Sequence, residues 1–95
     1  MYLLDTNVCI RYLNGRSPAI REKLEITNVS DIYVCAIVKA ELFYGAMRSN
    51  NPQRSLTNQQ KFLNLFTSLP FDDDVALTYG NIRAHLAQQG TPLVD

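Results

Sequence analysis

The sequence begins with MYLLDTNVCIRYL over residues 1–13, and this stretch decides the fold class. Its first four residues are apolar and predict a short buried strand that ends at Asp5. Asp5, Thr6 and Asn7 then predict a turn that also provides the N-cap of a helix. That helix is expected to stop near Asn14 and Gly15, because a glycine commonly follows the last helical turn. A buried strand that leads directly into a helix is typical of an α/β protein.

The alternation of strands and helices continues after this first unit. Ser17 and Pro18 predict the start of a second helix, as its N-cap and its first residue. β-Branched and aromatic residues predict a second strand over residues 31–35, and a third helix is expected over residues 36–47. The small and apolar residues expected on the inner faces of this third helix are Ile37, Ala40, Leu42, Tyr44 and Gly45.

The second half of the chain is predicted to be mainly helical. Serine, asparagine and proline predict a loop over residues 48–56, and apolar periodicity predicts a helix over residues 57–68. Residues 69–71 are expected to be extended, a last helix is expected over residues 75–89, and residues 91–95 are expected to be extended again. The whole pattern predicts an α/β fold in which helices flank a short parallel sheet.

The composition is that of one ordinary globular domain. The 95 residues suffice for a single domain, and 46% of them are hydrophobic. Nine basic and nine acidic side chains give a formal net charge of zero, so composition alone does not support nucleic-acid binding. No apolar run approaches the roughly 18 residues of a membrane span, and the N-terminus lacks the basic segment of a signal peptide. A cytoplasmic location without a membrane partner is therefore expected.

Asp5 is the first candidate functional residue. It lies at the carboxyl end of the first predicted strand, and open α/β sheets bind their ligands at that edge. A carboxylate in this position is well placed to bind a cation. The alternative is that Asp5 only caps the helix that follows it, and the local sequence leaves both interpretations open.

Glu41 is the second candidate, and it lies inside the third predicted helix between Ala40 and Leu42. A charged residue in apolar surroundings is usually paired or coordinates a metal. The alternative is an ordinary glutamate on the solvent face of a helix. Asp5 and Glu41 belong to two neighbouring βα units, so they could supply two hard oxygen ligands of the kind that suits Mg²⁺ or Mn²⁺.

Other conspicuous side chains have simpler interpretations. Cys9 and Cys35 lie among apolar residues and are predicted to be free, buried thiols. The acidic residues 72–74 are predicted to cap a helix and complement its dipole, and His85 is predicted to lie on the surface. A loose group of basic residues could flank a phosphate chain or form a solvated face: Arg11, Arg16, Arg21, Lys23, Arg48 and Arg54.

Three segments taken together resemble the motifs of PIN-domain proteins, specifically the VapC toxins of toxin–antitoxin modules. These segments are residues 1–7, residues 36–46, and residues 79–84 followed by Gly90-Thr91-Pro92. The resemblance covers the whole chain and implies a PIN-like α/β fold in a single domain over residues 1–95. It also implies an Mg²⁺- or Mn²⁺-dependent endoribonuclease that acts as the toxin, with RNA as substrate, a cognate antitoxin protein as partner, and dimerisation.

The resemblance also assigns roles to individual residues. Asp5 and Glu41 match the first two acids of the family and are expected to be catalytic metal ligands. Asn7 matches the polar residue beside the first acid and is expected to orient it or a bound water. Asp95 arrives about two positions before the expected third acid and is a candidate metal ligand. In the family, further elements with a fourth acid normally follow this position. They are expected to be missing here, so the domain is expected to be incomplete at its C-terminus.

Two alternatives to an active toxin remain. The first is a catalytically inactive PIN-domain fragment that acts as an antitoxin-binding or self-associating module. The second is a phosphatase-like α/β protein with Asp5 as its nucleophile. That phosphatase pattern carries a second aspartate two residues on, where this chain has Asn7.

Overall fold

A three-stranded parallel sheet forms the centre of the protein, whose computed structural model describes residues 2–88. The strands are β1 (Tyr2–Leu4), β2 (Ile32–Cys35) and β3 (Thr67–Leu69), in the order β1-β2-β3. Leu4 lies opposite Val34 across the first pair of strands. The predicted α/β class is therefore confirmed, and the carboxyl ends of all three strands lie at one edge of the sheet.

Five helices and one turn of 3-10 helix at Val29–Asp31 accompany the sheet. The helices are α1 (Thr6–Leu13), α2 (Pro18–Ile26), α3 (Ala36–Met47), α4 (Pro52–Leu63) and α5 (Asp73–Gln88).

The predicted start and end of α1 and the predicted start of α2 are confirmed. The Ser17 hydroxyl accepts a hydrogen bond from the Ile20 amide at 3.4 Å and caps α2. Gly15, which follows α1, has a φ of 66°, a conformation that glycine adopts without a steric penalty.

The core lies between the sheet and helices α1 to α4. Leu4 from β1, Ile32 and Val34 from β2, and Leu63 from α4 are all buried. The rest of this buried cluster comes from the helices: Val8, Cys9, Ile20, Val38, Leu42 and Phe62. Cys9 and Cys35 are both free and buried, as predicted.

Helix α3 buries a different face from the predicted one. Its buried side chains are Val38, Leu42 and Ala46, which are spaced four residues apart. Of the five residues expected on the inner faces, three are exposed: Ala40, Tyr44 and Gly45. The physical reason is that α3 carries small or apolar residues around most of its circumference, so hydrophobic periodicity does not mark one face.

The predicted bounds around α4 were wrong. The helix begins at Pro52, inside the stretch expected to be a loop, and ends at Leu63. Asn51 provides the N-cap by accepting a hydrogen bond from the Arg54 amide at 3.2 Å, and proline suits the first helical position. Asparagine followed by proline was therefore a helix start. Residues 67–69, expected as the end of a helix and the start of an extended piece, form strand β3.

Helix α5 packs over the sheet less tightly than the core helices do. Val75, Tyr79 and Ile82 are only half-buried. With Thr78 and the sheet residues Leu3 and Leu69 they enclose an apolar cavity of about 180 Å³. The Asp72 carboxylate accepts a hydrogen bond from the Val75 amide at 2.9 Å, which confirms the predicted capping role of the acidic run. Within residues 2–88, no helix is both long enough and apolar enough to cross a membrane.

Candidate functional site

Asp5 occupies the junction between β1 and α1 and is almost completely buried, with 2% of its surface exposed. Its Oδ1 atom accepts a hydrogen bond from the Val8 amide at 2.9 Å, so Asp5 does cap α1. Its Oδ2 atom accepts a hydrogen bond from Arg83 at 3.1 Å. Capping uses one oxygen of the carboxylate and leaves the other directed at a cationic group. The two interpretations of Asp5 are therefore compatible.

Arg83 reaches Asp5 from helix α5, 78 residues further along the chain, and sequence reasoning did not single it out. Its side chain is 42% exposed, whereas that of Asp5 is 3% exposed. Tyr79 lies one helical turn before Arg83, on the same face of α5. Burial raises the pKa of Tyr79, and this effect outweighs the lowering by Arg83. The spacing of Tyr79 and Arg83 predicts that they share one helical face, but no local sequence signal indicates that Arg83 reaches Asp5.

Glu41 lies on the second turn of α3 and is exposed, so the expected apolar surroundings were wrong. Its Oε2 atom accepts a hydrogen bond from the Thr6 hydroxyl at 3.1 Å. Thr6 is the residue directly after Asp5, at the start of α1. The structure therefore brings the two candidate acids to the same end of the sheet, joined through Thr6.

The remaining candidates lie in different situations. Asn7 is exposed on the first turn of α1. Asp95 lies outside the described residues. His85 is exposed, as predicted. The basic residues of the loose group are exposed except for Lys23, which is half-buried and lies 5.2 Å from the centre of the Tyr2 ring.

Cys9 lies one helical turn after Asp5 and does not act as a thiolate near neutral pH. Burial, and then the negative charge of Asp5, raise its pKa from 9.0 to about 12. A thiol must lose its proton before it can attack an electrophile or bind a metal. Cys9 is therefore not a candidate metal ligand or nucleophile near neutral pH, which leaves the carboxylates as the candidates at this edge of the sheet.

The donor set fits a hydrated, hard divalent cation. Asp5 and Glu41 supply carboxylate oxygens, and Mg²⁺ typically binds one or two protein carboxylates while it keeps several waters. Among residues 2–88, no three histidine, cysteine, aspartate or glutamate side chains lie close enough together to hold a metal ion. Within residues 2–88, Asp5 and Glu41 are therefore candidates for an open two-carboxylate site rather than a closed metal cage.

The profile of the PIN domain matches residues 2–94, nearly the entire chain. The chain belongs to the PIN-domain family. The resemblance found in the three sequence motifs is thereby confirmed. Metal-dependent nucleases are typical of this family, so the assignment favours nuclease chemistry over the phosphatase-like alternative.

Curated relatives place the chain in the VapC branch of the PIN-domain family. It is 37% identical to the tRNA(fMet)-specific endonuclease VapC of Salmonella typhimurium over 92 residues, which cover 97% of this chain and 69% of that protein. It is 36% identical to ribonuclease VapC2 of Haemophilus influenzae over 89 residues, which cover 94% of this chain and 67% of that protein.

A solved structure agrees with the fold. The chain superposes on the DNA-bound VapBC complex of Salmonella typhimurium with a TM-score of 0.71 and 38% identity. The match covers 95% of this chain and 67% of that one. The expected PIN-like α/β fold is therefore confirmed at the level of the three-dimensional structure.

Proposed function

We propose that this PIN-domain protein is the toxin of a toxin–antitoxin system and cleaves RNA phosphodiester bonds with the help of Mg²⁺ or Mn²⁺. The observation that carries the proposal is the buried Asp5 carboxylate at the carboxyl end of β1, joined to Glu41 through Thr6. The identity to VapC ribonucleases supports the choice of RNA as substrate.

Asp5 and Glu41 are the residues proposed to hold the metal ion. When bound, such an ion polarises the phosphate and makes a water molecule more acidic, which is the difficult part of phosphodiester hydrolysis. Asn7, on the exposed first turn of α1, is proposed to orient Asp5 or a water molecule. Asp95 is proposed as a third ligand. All residues 1–95 are proposed to form one domain.

The protein's contribution is to place both carboxylates before the substrate arrives. Asp5 cannot change its rotamer freely because it is buried and accepts the Val8 amide hydrogen bond. Thr6 limits the motion of the exposed Glu41 side chain by donating its hydroxyl to that carboxylate. Ligands that are positioned in advance lose less entropy when the cation and the phosphate bind.

An antitoxin protein is the proposed partner of the chain. Support comes from the solved VapBC complex, in which a protein of this fold is assembled with its partner. Self-association into dimers is also proposed. It is supported by exposed apolar side chains on two helices, Tyr44 and Met47 on α3 and Leu77 on α5. Because the proposed substrate is RNA, a cytoplasmic location is proposed as well.

The test of the proposed function is cleavage of a labelled structured RNA in the presence of Mn²⁺ or Mg²⁺. The wild-type protein is expected to cleave, and a chelator is expected to stop it. Glu41→Gln keeps the size and hydrogen-bonding capacity of the side chain but removes the charge, so cleavage should fall at least about tenfold. Glu22→Gln is the matched control, because Glu22 is an exposed helical glutamate on α2.

Equal activity of Glu41→Gln and wild type would refute the proposed role of Glu41. A protein that never cleaves RNA with either metal, yet binds an antitoxin, would instead support the inactive binding module.

A further inference from the structure

The ion pair between Arg83 and Asp5 lies directly at the proposed metal site. The Nη2 atom of Arg83 is 3.1 Å from Oδ2 of Asp5. The other oxygen of that carboxylate is engaged by the Val8 amide. A divalent cation that binds Asp5 through Oδ2 must therefore share that oxygen with Arg83 or displace Arg83 from it.

We propose that Arg83 is an internal cation that competes with the divalent metal for Asp5 and thereby sets the metal affinity of the site. Arg83 is then a positioning residue, because it acts on Asp5 rather than on the substrate. The inference rests on the proposed metal-binding role of Asp5. It adds to that role a built-in control of metal loading.

Arg83 and a divalent cation both bring positive charge to the same carboxylate of Asp5. A buried carboxylate needs a partner, and Arg83 supplies a charge-assisted hydrogen bond to Asp5. A guanidinium and a divalent cation on the same oxygen would repel each other strongly in these poorly solvated surroundings. Metal binding and the Arg83 contact therefore oppose each other.

Arg83 has an alternative position away from Asp5. Its side chain is 42% exposed, so its charge remains partly hydrated when it leaves Asp5. Tyr79 lies one helical turn before Arg83 on the same face of α5, so its hydroxyl offers Arg83 a neighbouring acceptor other than Asp5. The ring of Tyr79 is held edge-on against Phe71, with 5.9 Å between ring centroids. Tyr79 can therefore retain Arg83 while a metal occupies Asp5.

The test is the dissociation constant for Mn²⁺, measured by titration calorimetry on the full chain. Arg83→Gln removes the competing charge, so Mn²⁺ should bind roughly tenfold more tightly than to wild type, the effect expected from losing one charge-assisted hydrogen bond. A residue that only supported the fold would weaken binding when it is replaced. Arg21→Gln is the matched control, since Arg21 lies on α2 and pairs with Glu25 at 3.9 Å.

A second variant gives the opposite expected sign. Tyr79→Phe keeps the ring against Phe71 but removes the hydroxyl that offers Arg83 its alternative contact. Arg83 should then stay on Asp5, and Mn²⁺ should bind roughly threefold more weakly than to wild type, about half of one neutral hydrogen bond. If a circular dichroism melt shows that Arg83→Gln does not fold, the Mn²⁺ affinity of Tyr79→Phe alone tests the competition by Arg83.

The outcomes separate this inference from the proposed function. If wild type binds Mn²⁺ through Asp5 but neither variant shifts the affinity in the expected direction, competition by Arg83 is refuted and the metal site stands. Tight binding by Arg83→Gln beside weak binding by wild type supports the inference. If neither protein binds Mn²⁺, both the metal site and the competition are refuted.

Discussion

Replacement of Asp5 by asparagine is expected to reduce metal-dependent RNA cleavage at least about a hundredfold, which corresponds to roughly 2.7 kcal/mol of transition-state stabilisation. The substitution leaves an oxygen that can still accept the Val8 amide hydrogen bond and cap α1. It removes the charge that a divalent cation requires. Cleavage should therefore be lost without loss of the fold.

Asp72→Asn is the matched control for this variant. Asp72 caps α5 through the same geometry, with 2.9 Å between its Oδ1 atom and the Val75 amide, but it is exposed. It should retain wild-type cleavage. Comparable activity losses in both variants would show that removing a negative charge at any helix N-cap, rather than the charge at Asp5 in particular, lowers activity.

Asp5→Asn should also lower the free energy of unfolding, by about 1–2 kcal/mol. The new amide group presents a donor to Arg83, which itself has only donors. This loss of stability is smaller than the loss expected from breaking a fully buried ion pair, because the Arg83 side chain is 42% exposed and retains part of its hydration. Urea denaturation without metal measures this difference.

Phe62→Ala is expected to have the largest effect on stability. Phe62 is 6% exposed and lies at the centre of an aromatic cluster. Its ring stacks on Tyr12 with 4.6 Å between centroids and meets Phe66 edge-on at 5.1 Å. Removing a buried phenylalanine costs about 3–5 kcal/mol, and small domains have only about 5–15 kcal/mol in total. Much of the folded population should therefore be lost on mild heating.

Phe71→Ala is the control for the Phe62 prediction. Phe71 is 43% exposed and contacts Tyr79 edge-on, so its removal should cost less than about 1.5 kcal/mol. Both variants are compared with wild type by urea denaturation. Equal losses in the two variants would contradict the placement of the core between the sheet and helices α1 to α4.

The elements around Asp5 could be predicted from the sequence because their signals are local. An apolar run followed by a polar cap is sufficient to mark β1 and the start of α1, and both were confirmed. The same holds for Ser17 and Pro18 at the start of α2. In each case the residues that decide the structure are within a few positions of one another.

Two features of the fold were not predictable in this way. The start of α4 was hidden because asparagine and proline are common in loops as well as at helix N-termini. The buried face of α3 could not be predicted because the helix carries apolar residues around most of its circumference. Its packing against α1 and α4 determines that Val38, Leu42 and Ala46 are buried.

The contacts that complete the candidate site are long-range. Thr6 meets Glu41 across 35 residues, and Arg83 meets Asp5 across 78 residues. No local sequence pattern predicts these contacts, because they depend on how the helices pack at the edge of the sheet. The acids themselves were identified from the sequence, whereas Arg83 emerged only from the three-dimensional structure.

The most direct test of the central claim is titration calorimetry with Mn²⁺ on wild type, Asp5→Asn and Glu41→Gln. The claim is that these two carboxylates form one binding site for a hard divalent cation. We expect that wild type binds Mn²⁺ and that each substitution alone abolishes or severely weakens the binding, while Glu22→Gln leaves it unchanged. Undiminished binding by either Asp5→Asn or Glu41→Gln would contradict it.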